Sequence, residues 1–214
     1  KSPINLKIMS SSNSKPDPSN NKKPLFIDFD TQLEELWDKI HTEFRRACQD
    51  KKHPFRFVTL GSQTDEGVGL RYVVLREITA NQHFLFYTDY RSPKVKELEE
   101  RPNSSLLFYH PQKGVQIRVE GKVGVHHQDS ICADQWKKVQ GIAQRAYTPL
   151  IQPGEVIESP QQAHEWPVEM RDEYFSVLEF SPNSYDILQL NRLEHLRLGI
   201  KKEGETWKVN WLAP

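Results

Sequence analysis

Cysteine is nearly absent: Cys48 and Cys132 are the only two in 214 residues, and they form no C-x-x-C pair. This excludes a disulfide-stapled scaffold and a cysteine-built zinc site, and it predicts unpaired thiols in a reducing, cytoplasmic setting. Long apolar runs are missing too. None approaches the roughly 18 residues that cross a bilayer, so no membrane span is expected. The first residues lack the basic, apolar and small-residue order of a secretory signal. Neither sign of charge is in excess, with 29 basic and 29 acidic residues. No whole-chain field therefore draws the protein to nucleic acid or to a membrane surface. There is no G-x-S-x-G elbow and no P-loop. His126 and His127 are neighbours on a predicted strand and face opposite ways, which makes a poor metal pair, and no metal is expected.

What is present divides into a short polar segment and one long folded unit. Residues 1–24 contain SSSNSKPDPSNNKKP, which is too polar to bury a core and reads as a flexible N-terminal arm. Residues 25–214 form the domain. From about Asp30 to Cys48 the spacing is helical, with Leu33, Leu36, Trp37, Ile40 and Phe44 on one face and Thr31 or Asp30 as the cap. Strands follow in PFRFVTLGS, LRYVVLREI, HFLFYTDY, SSLLFYH and VQIRVEGKVGV, separated by turns rich in glycine, proline and asparagine. A second helix is predicted over 92–101 and a third over about 130–146, the latter weakened by Gly141. The Pro-rich stretch 147–172 has no clear period. The end is again β, with YFSVLEFSP, SYDILQLNRLEHLRLGIKK and TWKVNWLAP. Short, closely spaced strands predict an antiparallel sheet or barrel.

Three features carry charge in unexpected places. The helix at 92–101 has Ser92 as its N-cap, Pro93 at its first position, and Lys94 and Lys96 in its first turn, where the helix end is already partly positive. Either the lysines are simply solvated, or the free N–H groups, the Ser92 hydroxyl and Lys94 form a cradle for a phosphate. In LRYVVLRE, Arg71 and Arg76 point to opposite faces of a regular strand. They serve one anion only if a bulge or a second chain brings them together. In VQIRVEGKV, Val115, Ile117, Val119 and Val123 face one way and Gln116, Arg118, Glu120 and Lys122 the other. The polar set is either a solvated face or one that meets a partner subunit over a polar ligand. Trp37, Trp136 and Trp166, and Trp207 and Trp211 on the face of Val209, read as packing residues.

Taken in order, RYVVLRE, FYTDYRSPK, LLFYHPQKGVQIRVEGKV, NRLEHLRLG and the ending WKVNWLAP resemble the pyridoxamine 5'-phosphate oxidase family of FMN-binding split barrels. The resemblance implies a mainly β fold with flanking helices, built on a six-stranded antiparallel split barrel. It also implies a homodimer with FMN at the interface. Arg71, Tyr72, Val73, Val74 and Arg76 would line the flavin, with both arginines on its phosphate. Tyr87 and Thr88 would approach the ring and ribityl side, Ser92 and Lys94 would hold the phosphate, and Gln116 would bond the pyrimidine edge. Arg192, Glu194 and Arg197 would face a small-molecule substrate. The implied activity is hydride transfer between that substrate and FMN. The alternatives are a true pyridoxamine/pyridoxine 5'-phosphate oxidase, or a flavin or haem binder without catalysis. The chain departs from the family where Ser-Arg-Lys reads Ser92-Pro93-Lys94, where the usual lysine is Arg76, and where a tryptophan is replaced by Leu188. The family's Arg-Leu-His reads Arg192-Leu193-Glu194. The residues that hold the substrate phosphate have no clear match in 130–150, where Trp136 and Arg145 are only nearby.

Overall fold

The computed structural model describes residues 6–7, 25–191 and 194–214. The segment expected as an arm lies outside the described residues apart from strand β1, Leu6–Lys7. The first helix, α1, spans Leu33–Gln49 and places Leu36, Trp37, Ile40 and Phe44 in the core. Its N-cap is Gln32, with no side-chain cap, which corrects the expectation of Thr31 or Asp30. Thr31 instead exchanges bonds with Asp28, its Oγ1 accepting from the Asp28 amide and donating to Asp28 Oδ1, both at 2.8 Å. The local turn uses the hydroxyl that a cap would need.

Six strands close the barrel: β2 (Phe57–Gln63), β3 (Val68–Ile78), β4 (Phe84–Asp89), β5 (Asn103–His110), β6 (Val115–His127) and β7 (Phe175–Gln189). The lateral order β7-β4-β3-β2-β5-β6 returns to β7, and all of these pairings are antiparallel. Two further strands, β8 (Leu196–Glu203) and β9 (Thr206–Leu212), extend the sheet from the second half of β7, and β1 runs parallel to β9. Closure removes the exposed edges that an open sheet of this size would present.

The chain from Phe175 to Gln189 is one 15-residue strand rather than two. Pro182 is tolerated within it because the β6–β7 register shifts between Glu120 and Gly121, so Pro182 sits at a bulge. Gly121 is required there, since a Cβ would stand 2.2 Å from the Ser181 carbonyl oxygen.

Leu60, Leu75, Phe84, Phe86, Phe108, Ile117, Val119, Leu178 and Ile187 fill the interior, and α1 lays its apolar stripe against them. Phe44 meets Phe108 and Phe84 with ring centroids 4.6 and 5.1 Å apart, and Trp37 meets Trp207 at 4.9 Å. Trp207 and Val209 are buried as expected, whereas Trp211, at the end of β9, is 42% exposed.

Helix α2 spans Pro93–Glu100 with Ser92 at its N-cap, and α3 spans Ser130–Trp136. The predicted third helix is thus cut short. After it the chain turns through Gly141 at φ 59° into a 3-10 helix over Gly141–Tyr147. Asp129 caps α3 through the Cys132 amide at 2.9 Å. The α3 region covers a second apolar cluster on the outside of the barrel, built from Leu85, Cys132, Tyr147, Phe175 and Val177. Cys48 and Cys132 are both free thiols, and burial pushes each up to about 11. No helix among the described residues is long and apolar enough to cross a membrane.

Candidate functional site

The strand-to-helix junction 88–94 gathers the first group of polar side chains. Thr88 and Ser92 are both buried, with their hydroxyl oxygens 3.3 Å apart. Ser92 occupies the N-cap position but does not cap with its side chain; its hydroxyl donates to the Asp89 carbonyl oxygen at 2.7 Å. Lys94 donates to Ser92 Oγ at 2.9 Å. Among the described residues no carboxylate lies within ion-pair distance of this half-buried ammonium. Burial, and then the positive Arg71, lower its pKa against the opposing influence of Asp89 and Glu97.

Arg71 comes to the same place from β3. Its Nη2 donates to Glu97 Oε2 on α2 at 2.9 Å, and its Nη1 donates to Ser62 Oγ and to the Gly69 carbonyl at 3.1 Å. Glu97 was not anticipated as part of the site. The signal was available: it lies three residues after Lys94 on a helix, so the two share a face. Beside this group, the Arg91 guanidinium forms an ion pair with Asp89 at 2.7 Å, donates to the Pro149 carbonyl at 2.7 Å and covers the Tyr174 ring at 3.6 Å. The Pro-rich segment is fastened there to the end of β4.

Arg76 is placed elsewhere. The β3–β4 register shifts between Leu75 and Glu77, so a bulge falls at Arg76. Its Nη2 donates to the Tyr147 hydroxyl at 3.0 Å, its guanidinium lies 5.3 Å from the Tyr87 ring centroid, and its Nε is buried with no partner among the described residues. Tyr87 donates to Gln135 Oε1 at 2.7 Å, and burial pushes its phenol up to about 12. Arg71, Thr88, Ser92 and Lys94 therefore form one group, and Arg76, Tyr87, Gln135 and Tyr147 a second beneath α3 and the 3-10 helix. Gln135 and Tyr147 fall in the segment that resembled the family least, and nothing in the sequence marked them.

The outer face of the sheet supplies a third region. Val73 points into the barrel, so only its backbone is offered to a ligand, while Tyr72 is 76% exposed outside. Gln116 pairs with Tyr109 on one side and Leu188 on the other, and Leu188 pairs with Arg197. Arg197 is held by Asp186 through two bonds, at 3.0 and 2.7 Å, and that carboxylate also receives Arg118 at 2.9 Å. Asp186 raises the pKa of Arg197. Glu194 is exposed in the turn before β8. Its amide donates to the Asn191 carbonyl at 2.8 Å, and the Asn191 amide donates to His195 Nδ1 at 3.1 Å. Arg192 lies outside the described residues. Phe57, Tyr72, Leu107 and Tyr109 expose apolar surface on this side of β2, β3 and β5.

One buried cluster has the spacing of a metal site: ligand atoms of Glu43, His53 and His110 lie within 4.8 Å of one another. Its chemistry is already complete. His53 Nδ1 accepts from the Phe55 amide at 3.1 Å, which leaves the proton on the Nε2 that meets Glu43 Oε2 at 3.0 Å. Glu43 Oε1 holds Arg46 at 2.9 Å and Lys113 at 3.1 Å. A dication would meet two cations and a protonated nitrogen there. His126, too, is engaged by carboxylates on both nitrogens, Asp129 at 2.7 Å and Glu179 at 3.0 Å.

A closed six-stranded antiparallel barrel extended by further strands defines a split-barrel protein. Residues 34–127 match the family described as pyridoxamine 5'-phosphate oxidase, FMN-binding domain. Through this segment the chain is similar to the pyridoxamine 5'-phosphate oxidase-like FMN-binding proteins, and its fold is that of their split barrels. A pyridoxine/pyridoxamine 5'-phosphate oxidase from Leptospira interrogans is 38% identical over 80 residues, covering 37% of each chain, so the match spans just over a third of that relative. One from Cyanothece is 28% identical over 188 residues, covering 82% of this chain and 87% of the relative. Among solved structures, a pyridoxamine 5'-phosphate oxidase-related, FMN-binding protein from Nostoc punctiforme has a TM-score of 0.70 at 19% identity, covering 83% of this chain and 97% of that one. PhzG from Burkholderia lata, in complex with tetrahydrophenazine-1-carboxylic acid, has a TM-score of 0.67 at 19% identity, covering 90% and 98%. At such identities these two likenesses speak to the fold.

Proposed function

We propose that this protein binds FMN at the interface of a homodimer and is an oxidoreductase passing a hydride between a small-molecule substrate and that cofactor. The observation that carries this reading is Lys94, a half-buried ammonium bonded to Ser92 at 2.9 Å, beside Arg71 and without a carboxylate of its own. That donor set fits a phosphate monoester: two cations and a hydroxyl, with the helix dipole at the start of α2 adding to them. Gln116, whose amide lies on the outer sheet face, would bond the flavin's pyrimidine edge. Tyr72 and Val74 would pack on it, and Val73 would contribute backbone only. Thr88 would support Ser92. Tyr87 and Arg76, in their separate group, would face the ring side and the substrate rather than the cofactor phosphate. FMN, when bound, supplies the hydride acceptor; the protein's part is to hold and orient it and to exclude water.

The exposed Phe57, Tyr72, Leu107 and Tyr109 support the homodimer, since a two-fold partner laid on this face would cover them and enclose the outer wall around Gln116. The free thiols fit a cytoplasmic setting. Glu194 in the turn before β8 weighs against pyridoxine 5'-phosphate as substrate, because a normally anionic side chain would meet a phosphorylated ligand.

Binding isotherms test the reading. Wild type should bind FMN well and riboflavin poorly, and Lys94→Ala should weaken FMN about ten- to hundredfold while leaving riboflavin unchanged. Equal affinity of wild type for FMN and riboflavin would refute the phosphate assignment.

A further inference from the structure

The group at the start of α2 contains one residue whose charge opposes the ligand it is built for. Glu97 Oε2 accepts from Arg71 Nη2 at 2.9 Å and from the Ser62 hydroxyl at 2.9 Å, while Arg71 Nη1 also donates to Ser62. Both partners of the Arg71–Glu97 pair are mostly shielded, at 23% and 22% side-chain exposure. A carboxylate thus holds the guanidinium in the way a phosphate oxygen would. Arg71, Lys94 and Glu97 sum to one positive charge, because Asp89 and Arg91 neutralise each other. A phosphate monoester carries about −1.5 to −2 at neutral pH. With Glu97 in place the assembled site is left negative; without it the site is close to neutral.

We propose that Glu97 is an internal competitor, a carboxylate that occupies Arg71 until the phosphate of the bound ligand displaces it. This rests on the phosphate reading of the site given above. The displaced side chain has somewhere to go. Glu97 also borders an open depression of about 430 Å³, where a displaced carboxylate would be solvated; Lys96 and Arg101 on its rim are already paired with Glu100 and Asp65. Glu97 therefore sets how strongly the site discriminates a phosphate dianion from an uncharged flavin.

The test is calorimetric titration of wild type and Glu97→Gln with FMN, riboflavin and inorganic phosphate. The glutamine keeps the size and an acceptor oxygen but removes the charge, so FMN and inorganic phosphate should each bind about tenfold tighter, with riboflavin unchanged. If wild type does not prefer FMN to riboflavin, the phosphate reading has failed, and inorganic phosphate still reports on Glu97. If FMN is preferred and Glu97→Gln binds it equally or more weakly, Glu97 positions Arg71 rather than competing for it, and the proposal is overturned. Melting temperatures of the ligand-free chains separate either result from a loss of fold.

Discussion

Replacing His41 by phenylalanine isolates the electrostatic cost of one buried imidazole. His41 lies on the core face of α1, is 1% exposed and has no hydrogen-bond partner among the described residues for either ring nitrogen. Its ring packs against Trp37 at 4.4 Å, Tyr185 at 5.9 Å and Phe44 at 6.0 Å. Burial, with a smaller push from the positive Arg45, takes it down from 6.5 to about 3. The folded pKa lies below the unfolded one, so between those values the unfolded chain binds a proton that the folded chain refuses. Stability is therefore full above about pH 6.5 and falls as the pH drops toward 3. At pH 5 the loss is about 1.5 pH units at 1.36 kcal/mol each, roughly 2 kcal/mol. Phenylalanine removes this dependence and also the unpartnered N–H, the latter worth about 1–3 kcal/mol at any pH. Urea unfolding at pH 7.5, 6 and 5, with cofactor content matched, should show the variant's advantage over wild type widening by about 2 kcal/mol between the two ends. Comparing the two chains at each pH cancels the contributions of His110 and His126 and of the carboxylates. Parallel stability curves across that range would refute the argument.

Two further outcomes follow from ion pairing and from the exposed sheet face. Arg91→Ala strips the buried Asp89 of its partner and frees the carbonyls of Pro149 and Leu150; stability should fall by about 3 kcal/mol, and limited proteolysis should cut first within 149–165. Lysine at both Tyr72 and Leu107 on the outer face should convert a homodimer of about twice 25.0 kDa into a folded monomer by sedimentation, whereas an unchanged assembly would place the interface elsewhere.

The sequence by itself determined the elements whose period is local. The helical spacing of Leu36, Trp37, Ile40 and Phe44 needs nothing beyond the chain that carries it, and α1 forms there. The alternation in VQIRVEGKV separates the barrel-facing valines from Gln116 and Arg118, and β6 keeps that separation. The pair Ser92-Pro93 fixes where α2 starts, because proline has no amide proton to leave unbonded. The order of these segments also sufficed to point to the split-barrel fold and to the family it resembles.

Only the tertiary structure decided which side chains share a place. Arg71 and Arg76 look alike on the page, but one meets Glu97 and the other Tyr147, and the bulge at Arg76 depends on the neighbouring strand rather than on its own sequence. The third helix was overextended: it ends at Trp136 with Lys137 as its C-cap, and Gly141 at positive φ opens a separate 3-10 helix, a break that apolar periodicity does not register. Continuity of β7 through Pro182 required the facing Gly121, sixty-one residues earlier in the chain. For the two arginines and for Pro182 the deciding partner lies far away in sequence, and its distance in space is set by closure of the barrel.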